Sequence, residues 1–131
     1  MSDEPRRSRR ILVVDDDRPL CNMMAASLAE AGYEALTAYN GVEALDRFRT
    51  SQPDLVLLDF AMPDMNGFDV CAEIRRIEQP SRHTLIVFIT AYSQAFLVSV
   101  DFHVGVDGTL TKPIVPNELV AHINDLFAAR G

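Results

Sequence analysis

Two hydrophobic patterns alternate along the chain. Ile11–Val14, Leu55–Leu58 and Leu85–Ile89 are short runs, apolar at every position and rich in branched side chains. Uninterrupted runs of this length predict strands buried on both faces, as in a parallel sheet. Weaker strand signals cover 33–39 and 108–111. Between the runs, apolar residues recur every three or four positions, the pattern of an amphipathic helix. Leu20, Met24, Leu28 and Ala31 mark a helix over 19–31, with Gly32 following as its stop. Val42, Leu45 and Phe48 mark one over 41–50, and Leu119, Ile123 and Leu126 one over 116–129. Val70, Cys71, Ile74 and Ile77 mark a helix over 67–78, which Pro80 ends. Strand and helix take turns five times. That order predicts an α/β fold: one five-stranded parallel sheet, doubly wound, with helices on both faces in three layers.

The helix that this order requires before the last strand is out of character. In 96–104, Phe96, Val98, Val100, Phe102 and Val104 alternate with Leu97, Ser99, Asp101 and His103. A period of two is a strand signal, and valine and phenylalanine are poor helix formers. The topology nevertheless predicts a helix here, marginal or irregular. Its excess apolar side chains predict a surface for a second copy of the chain or another partner.

Composition narrows the class. With 131 residues and 48% hydrophobic content, the chain is long enough for one domain with its own core. The formal net charge is −7, but it is unevenly spread. Residues 1–10 hold four arginines against Asp3 and Glu4, so the body carries the acidic excess. The expected organisation is an Arg-rich flexible tail over 1–10 and one folded domain over 11–131. An acidic body makes a poor nucleic-acid ligand. Cys21 and Cys71 have neither metal-site nor disulfide spacing and are expected as buried thiols on helices. With no apolar run of membrane-spanning length and no secretory signal, a cytoplasmic protein is expected. Of the 12 basic residues only Lys112 is a lysine.

The polar residues next to the strands carry the chemistry. Asp15, Asp16 and Asp17 follow the first strand, Asp59 ends the third, Thr90 closes the fourth and Lys112 follows the fifth. In an open parallel sheet all these strand ends share one edge, where ligands bind. Three carboxylates gathered there repel by about 4 kcal/mol per close pair at an effective dielectric near 20. A hard dication with a preference for oxygen ligands, such as Mg²⁺, relieves that repulsion. A carboxylate beside Mg²⁺ can attack a phosphoryl group and become an aspartyl phosphate, with Lys112 and Thr90 as donors to its oxygens. Taken singly, each residue has a plain structural role: helix cap, turn, strand or surface. Asp17 is expected to cap the helix that contains Pro19.

Four pieces of sequence resemble the receiver domain of bacterial response regulators: Val13-Val14-Asp15-Asp16, Leu58-Asp59-Phe60-Ala61-Met62-Pro63-Asp64-Met65-Asn66-Gly67, Ile89-Thr90-Ala91 and Thr111-Lys112-Pro113. The resemblance covers about residues 10–129. It implies a flavodoxin-like (βα)5 fold and a phosphoacceptor switch. Asp59 would be the phosphoacceptor. Asp15, Asp16, Asp59 and the backbone carbonyl of Ala61 would hold Mg²⁺ as cofactor. Thr90 would be the switch hydroxyl and Lys112 its cationic partner, followed by a cis bond to Pro113. Ala91 would leave the phosphate entry open. The implied donor is a sensor histidine kinase or a histidine phosphotransfer protein. No output domain follows Gly131, so a stand-alone switch with an unidentified output partner is expected.

The sequence departs from the family pattern on the signalling side. Thr109 stands three residues before Lys112, where the family usually has an aromatic whose rotamer reports phosphorylation. Ala61 and Tyr92, two residues beyond Asp59 and Thr90, imply slow self-dephosphorylation. Two other functions compete. A Mg²⁺-dependent phosphatase with an aspartyl nucleophile typically has a second acid where Ala61 stands, so turnover catalysis is not expected. A receiver-like module that no longer uses phosphate would have no need of the intact Asp15, Asp16, Asp59, Thr90 and Lys112 set.

Overall fold

The structure is a computed structural model that describes residues 8–91 and 105–130. The expected helix over 96–104, with its dimer or partner surface, and Tyr92 lie outside the described residues. Five parallel strands form one sheet in the order β2-β1-β3-β4-β5. They are β1 Arg10–Val14, β2 Glu34–Ala38, β3 Leu55–Asp59, β4 Leu85–Thr90 and β5 Gly108–Thr111. Three described helices connect strands, α1 Arg18–Glu30, α2 Gly41–Ser51 and α3 Gly67–Ile77, and a fourth, α4 Pro116–Arg130, follows β5. The predicted α/β architecture of a doubly wound, five-stranded parallel sheet is the observed one.

Two cores, one on each face of the sheet, explain the continuous apolar runs. Along a strand, successive side chains point to opposite faces. Leu12, Val14, Val56, Leu58, Ile86 and Phe88 pack under α2 and α3. Their neighbours Ile11, Val13, Leu55, Leu57, Val87 and Ile89 pack under α1 and α4. A polar residue at either parity would be buried in one core or the other, so polar residues stand only at the ends of the central strands. Both cysteines are buried free thiols, and the Cys21 thiol is pushed up to about 11 by burial and then by the Asp15 charge.

Local signals set the helix ends. Asp17 caps α1 by accepting from the Leu20 amide at 3.1 Å, with Pro19 in the first turn. Gly32, at φ +102°, follows the cap residue Ala31. Asn40 and Asn66 cap α2 and α3 by accepting from Glu43 and Asp69 at 2.8 and 3.0 Å. The helical faces follow the predicted stripes except at single positions. Val42 is 66% exposed, while Leu45 and Phe48 of its predicted stripe are buried together with Gly41 and Ala44. In α1 the buried set is Cys21, Met24 and Leu28, with Ala31 exposed past the helix end. In α4, Phe127 takes the buried place expected of Leu126. A step of three falls short of a turn of 3.6 residues, so a fixed three-residue spacing drifts off the buried face.

The amino-terminal edge of the sheet is tied by Asp107. Its carboxylate accepts from the Ile86 amide at 2.9 Å and the Arg75 guanidinium at 3.0 Å, and it meets His83 Nε2 at 3.0 Å. Arg75 also donates to the carbonyls of Thr84 and Gly105 and pairs with Glu78. One carboxylate thus joins the end of α3, the start of β4 and the turn before β5. Asp107→Ala is expected to cost about 2 kcal/mol, since it leaves Arg75 and the Ile86 amide short of an acceptor. Chemical denaturation measures the loss, and a change within experimental error would refute the role of this hub.

Candidate functional site

The carboxyl ends of β1, β3, β4 and β5 open on one crevice. Each ladder continues a residue or two past its strand and fixes the backbone there. The Asp15 amide donates to the Ala38 carbonyl at 3.2 Å, that of Phe60 to Ile89 at 2.9 Å and that of Lys112 to Thr90 at 2.8 Å. Asp59 lies opposite Ile89, and Thr90 opposite Thr111. Parallel register therefore draws Asp15, Asp59, Thr90 and Lys112 to a common depth.

Carboxylate oxygens of Asp15, Asp16 and Asp59 lie within 4.8 Å of one another. Their surroundings differ sharply. Asp15 is fully buried and Asp59 is 3% exposed, whereas Asp16 faces solvent. The Lys112 ammonium stands 3.4 Å from Asp15 Oδ2 and 3.4 Å from Asp59 Oδ1. The Asp17 amide donates to Asp15 Oδ1 at 2.9 Å. Asp15 Oδ2 is buried with no hydrogen-bond partner among the described residues. The 3.4 Å approach of Lys112 is an ion pair rather than a well-formed hydrogen bond, because a bond from an ammonium is normally shorter.

These contacts set the charge balance. Burial pushes the Asp59 carboxyl up to about 7, helped by the Asp15 charge and opposed by Lys112. Asp15 is also raised, chiefly by burial, against the Asp17 amide and Lys112. Burial alone would lower the Lys112 ammonium, but the Asp59 and Asp15 charges reverse that and hold it above its ordinary value. One ammonium faces three acids, so the cluster is short of positive charge. An all-oxygen donor set in which the buried Asp15 Oδ2 has an ion pair to Lys112 but no hydrogen bond among the described residues suits a hard dication such as Mg²⁺.

The other predicted site residues fall around this centre. Thr90 is buried at the end of β4, and Ala91, just beyond it, is exposed. Ala61 is exposed in the loop after β3. The Lys112–Pro113 bond is cis. Thr109 is set back within β5, half-buried and opposite Phe88 rather than in the crevice. Two neighbours were not singled out from sequence. The Cys21 thiol donates toward the Val13 and Ala38 carbonyls just before and beside Asp15. Asp64 reaches from the loop after β3 to the start of α2. Asp64 lies within the Leu58–Gly67 motif without its role being legible there, and both contacts arise from proximity across the fold. A cleft of about 170 Å³ between the far ends of α2 and α3 is lined by Phe48, Gln52, Ile77 and Arg82, at the opposite edge, and is no part of this site.

The raised Asp59 value has a thermodynamic consequence. A carboxyl whose folded value lies above its unfolded 3.8 is protonated in the native state first, so metal-free stability falls as pH rises from about 4 to about 7. In chelator above pH 7, Asp59→Asn is expected to be more stable than the unsubstituted protein by roughly 1–3 kcal/mol, an advantage that shrinks toward pH 4. Thermal melts across that range test the sign; an Asn variant less stable at neutral pH would contradict it.

The chain matches the response regulator receiver domain family over residues 11–124. It is similar to the solved structure of the chemotaxis protein CheY4 of Vibrio cholerae, with 30% identity, a TM-score of 0.86, and coverage of 92% of this chain and 99% of that one. A two-component response regulator from Clostridium difficile is 26% identical with a TM-score of 0.83, covering 92% of this chain and 97% of that one. The signal receiver domain of a signal transduction histidine kinase from Syntrophus aciditrophicus is 28% identical with a TM-score of 0.79, covering 93% and 92%. No described helix is long and apolar enough to cross a membrane. Sheet order, acidic cluster and family match agree: this chain belongs to the response regulator receiver domains of two-component signalling.

Proposed function

We propose that the protein is a phosphoacceptor switch that takes a phosphoryl group onto Asp59, where Lys112 and a bound Mg²⁺ would offset its charge. The observation that carries this is the Lys112 ammonium, 3.4 Å from both buried acids, beside a third carboxylate. Asp15, Asp16 and Asp59 are the side chains that would hold Mg²⁺, with the Ala61 carbonyl as a further ligand. When bound, the ion neutralises phosphoryl oxygens in a reaction that depends on charge and position more than on proton transfer.

The chain's own groups account for the remainder. The donor is a phosphorylated histidine of a sensor kinase or a phosphotransfer protein. A receiver domain within a histidine kinase is among the structural neighbours, in keeping with such a donor. Asp59 Oδ attacks the phosphorus; the P–O bond forms as the P–N bond breaks, and the imidazole leaves with a proton from solvent. Lys112, relieved of the Asp59 charge, turns its ammonium to a phosphoryl oxygen. The Thr90 hydroxyl donates to another, and the small, exposed Ala91 leaves the approach open. Thr90 and Lys112 end adjacent strands and are joined by the Lys112–Thr90 backbone bond. Phosphorylation therefore acts on the β4–β5 half of the sheet, and the face that includes β5 and α4 passes the state to an output partner. Thr109 is too small to relay it by filling and vacating an aromatic pocket.

Ala61 lacks the acid that a phosphatase would use to protonate a leaving group, which favours a switch over a turnover enzyme. Incubation with acetyl phosphate and MgCl₂ is expected to add one phosphoryl group by mass. The adduct should be absent in Asp59→Asn and in excess chelator, and retained in Thr90→Ala. Rapid phosphate release with turnover would support the phosphatase instead; no adduct would mean a receiver that does not use phosphate.

A further inference from the structure

The loop between β3 and α3 leaves Asp59 and returns at Gly67, and it is fastened at both ends. The Phe60 amide donates to the Ile89 carbonyl at 2.9 Å, and the Gly67 amide returns to the Phe60 carbonyl at 2.7 Å. Between those bonds, Met62 is buried in the core. Asp64 supplies the remaining anchor, and it reaches outside the loop's own element. Its Oδ1 accepts from the Gly41 amide at 3.0 Å and its Oδ2 from the Val42 amide at 3.1 Å. Both are first-turn amides of α2 with no partner inside the helix. Asn40, the residue before α2, supplies its own side chain only to Glu43. The α2 start thus depends on two acceptors, one local and one borrowed from the loop beside the phosphoacceptor.

The junction is close. A Cβ on Gly41 would meet Met65 Cβ at 2.7 Å, a distance real side chains do not tolerate, so only glycine lets the loop lie against the helix here. The Asp64 carboxyl would be raised by burial, but the Gly41, Val42, Met65 and its own amides outweigh that and hold it below the usual range. A negative charge at a helix start is favourable in addition.

We infer that Asp64 is a positioning residue for the metal site: by clamping the loop to α2 it fixes the segment just after Asp59 that carries the Ala61 carbonyl. The inference rests on the reading of Asp59 and Ala61 as Mg²⁺ ligands. Asp64 touches neither the ion nor a phosphoryl group; it removes freedom from a backbone ligand three residues away. Partners of this kind, behind the direct ligands, typically govern about tenfold or more in metal affinity.

Three variants isolate the effect in the full chain, with MgCl₂ titrated calorimetrically into unphosphorylated protein. Asp64→Ala removes the clamp. Asn40→Ala removes the local cap of α2 but leaves the loop attached. Asp46→Asn removes an exposed acid that lines the same groove as Asp64 but has no bond to the loop. Asp64→Ala is expected to bind Mg²⁺ about tenfold more weakly, with faster amide exchange at 60–66. Asn40→Ala should melt lower, as any uncapped helix does, yet bind Mg²⁺ within about twofold of the unsubstituted chain. Asp46→Asn should also stay within about twofold, since an exposed charge is screened. Equal weakening by Asp64→Ala and Asn40→Ala would reduce the clamp to general stability and overturn the inference. Equal weakening by Asp46→Asn would reduce it to charge, with the same result, as would an Asp64→Ala affinity that does not move. If the unsubstituted chain binds no Mg²⁺, the reading of the metal site fails, and the inference falls with it.

Discussion

Lys112 holds two buried carboxylates that would otherwise repel each other. Asp15 and Asp59 are the last polar groups one would place at the ends of strands buried on both faces, yet both lie almost entirely out of water. Their proximity is tolerable because one ammonium stands 3.4 Å from each. The balance stays incomplete, with Asp59 raised to about 7 and Asp15 Oδ2 without a hydrogen bond among the described residues. A cluster left in this state would gain from a dication such as Mg²⁺. The cost to the unliganded fold and the capacity for ligand are the same fact.

The fold can carry that cost because its cohesion lies elsewhere. The two cores on the sheet faces contain none of the three acids, and alternate strand residues feed them separately. At the far edge, Asp107 gathers the Ile86 amide, Arg75 and His83 into a satisfied network that is the chemical inverse of the crevice. There Asp107 is matched by Arg75, His83 and the Ile86 amide; in the crevice, among the described residues, the acids outnumber the cations. Stability at one edge and unmet charge at the other is how a small domain keeps a reactive site without loosening throughout.

Much of this was legible in the chain. The three apolar runs identified the central strands because a strand buried on both faces admits no polar position, a purely local consequence. Asp15, Asp16, Asp59, Thr90 and Lys112 stood out because each lies at or just past the end of a predicted strand, and parallel topology sends all such ends to one edge. The cap Asp17 was readable for the same local reason. The helix faces were less so. Val42 looked like core from its spacing to Leu45, but a helical turn is not three residues, and α2 buries Gly41 and Ala44 in its place, beside the expected Leu45 and Phe48. Asp64 and Asp107 gave no signal of their contacts, since each acts on amides or guanidinium groups of elements distant in sequence.

The chain by itself determined the order and type of elements, the parallel sheet and the residues that must meet at its edge. Periodicity, residue volume and turn chemistry are properties of neighbours, and topology comes from their order. Only the tertiary structure decided that Asp15 is buried while Asp16 faces solvent, that one lysine serves two acids equally, and that the loop after Asp59 is clamped to the start of α2. Distance and desolvation between residues far apart in the chain have no value until the sheet has formed. They are the quantities that turn five polar residues into a charged site.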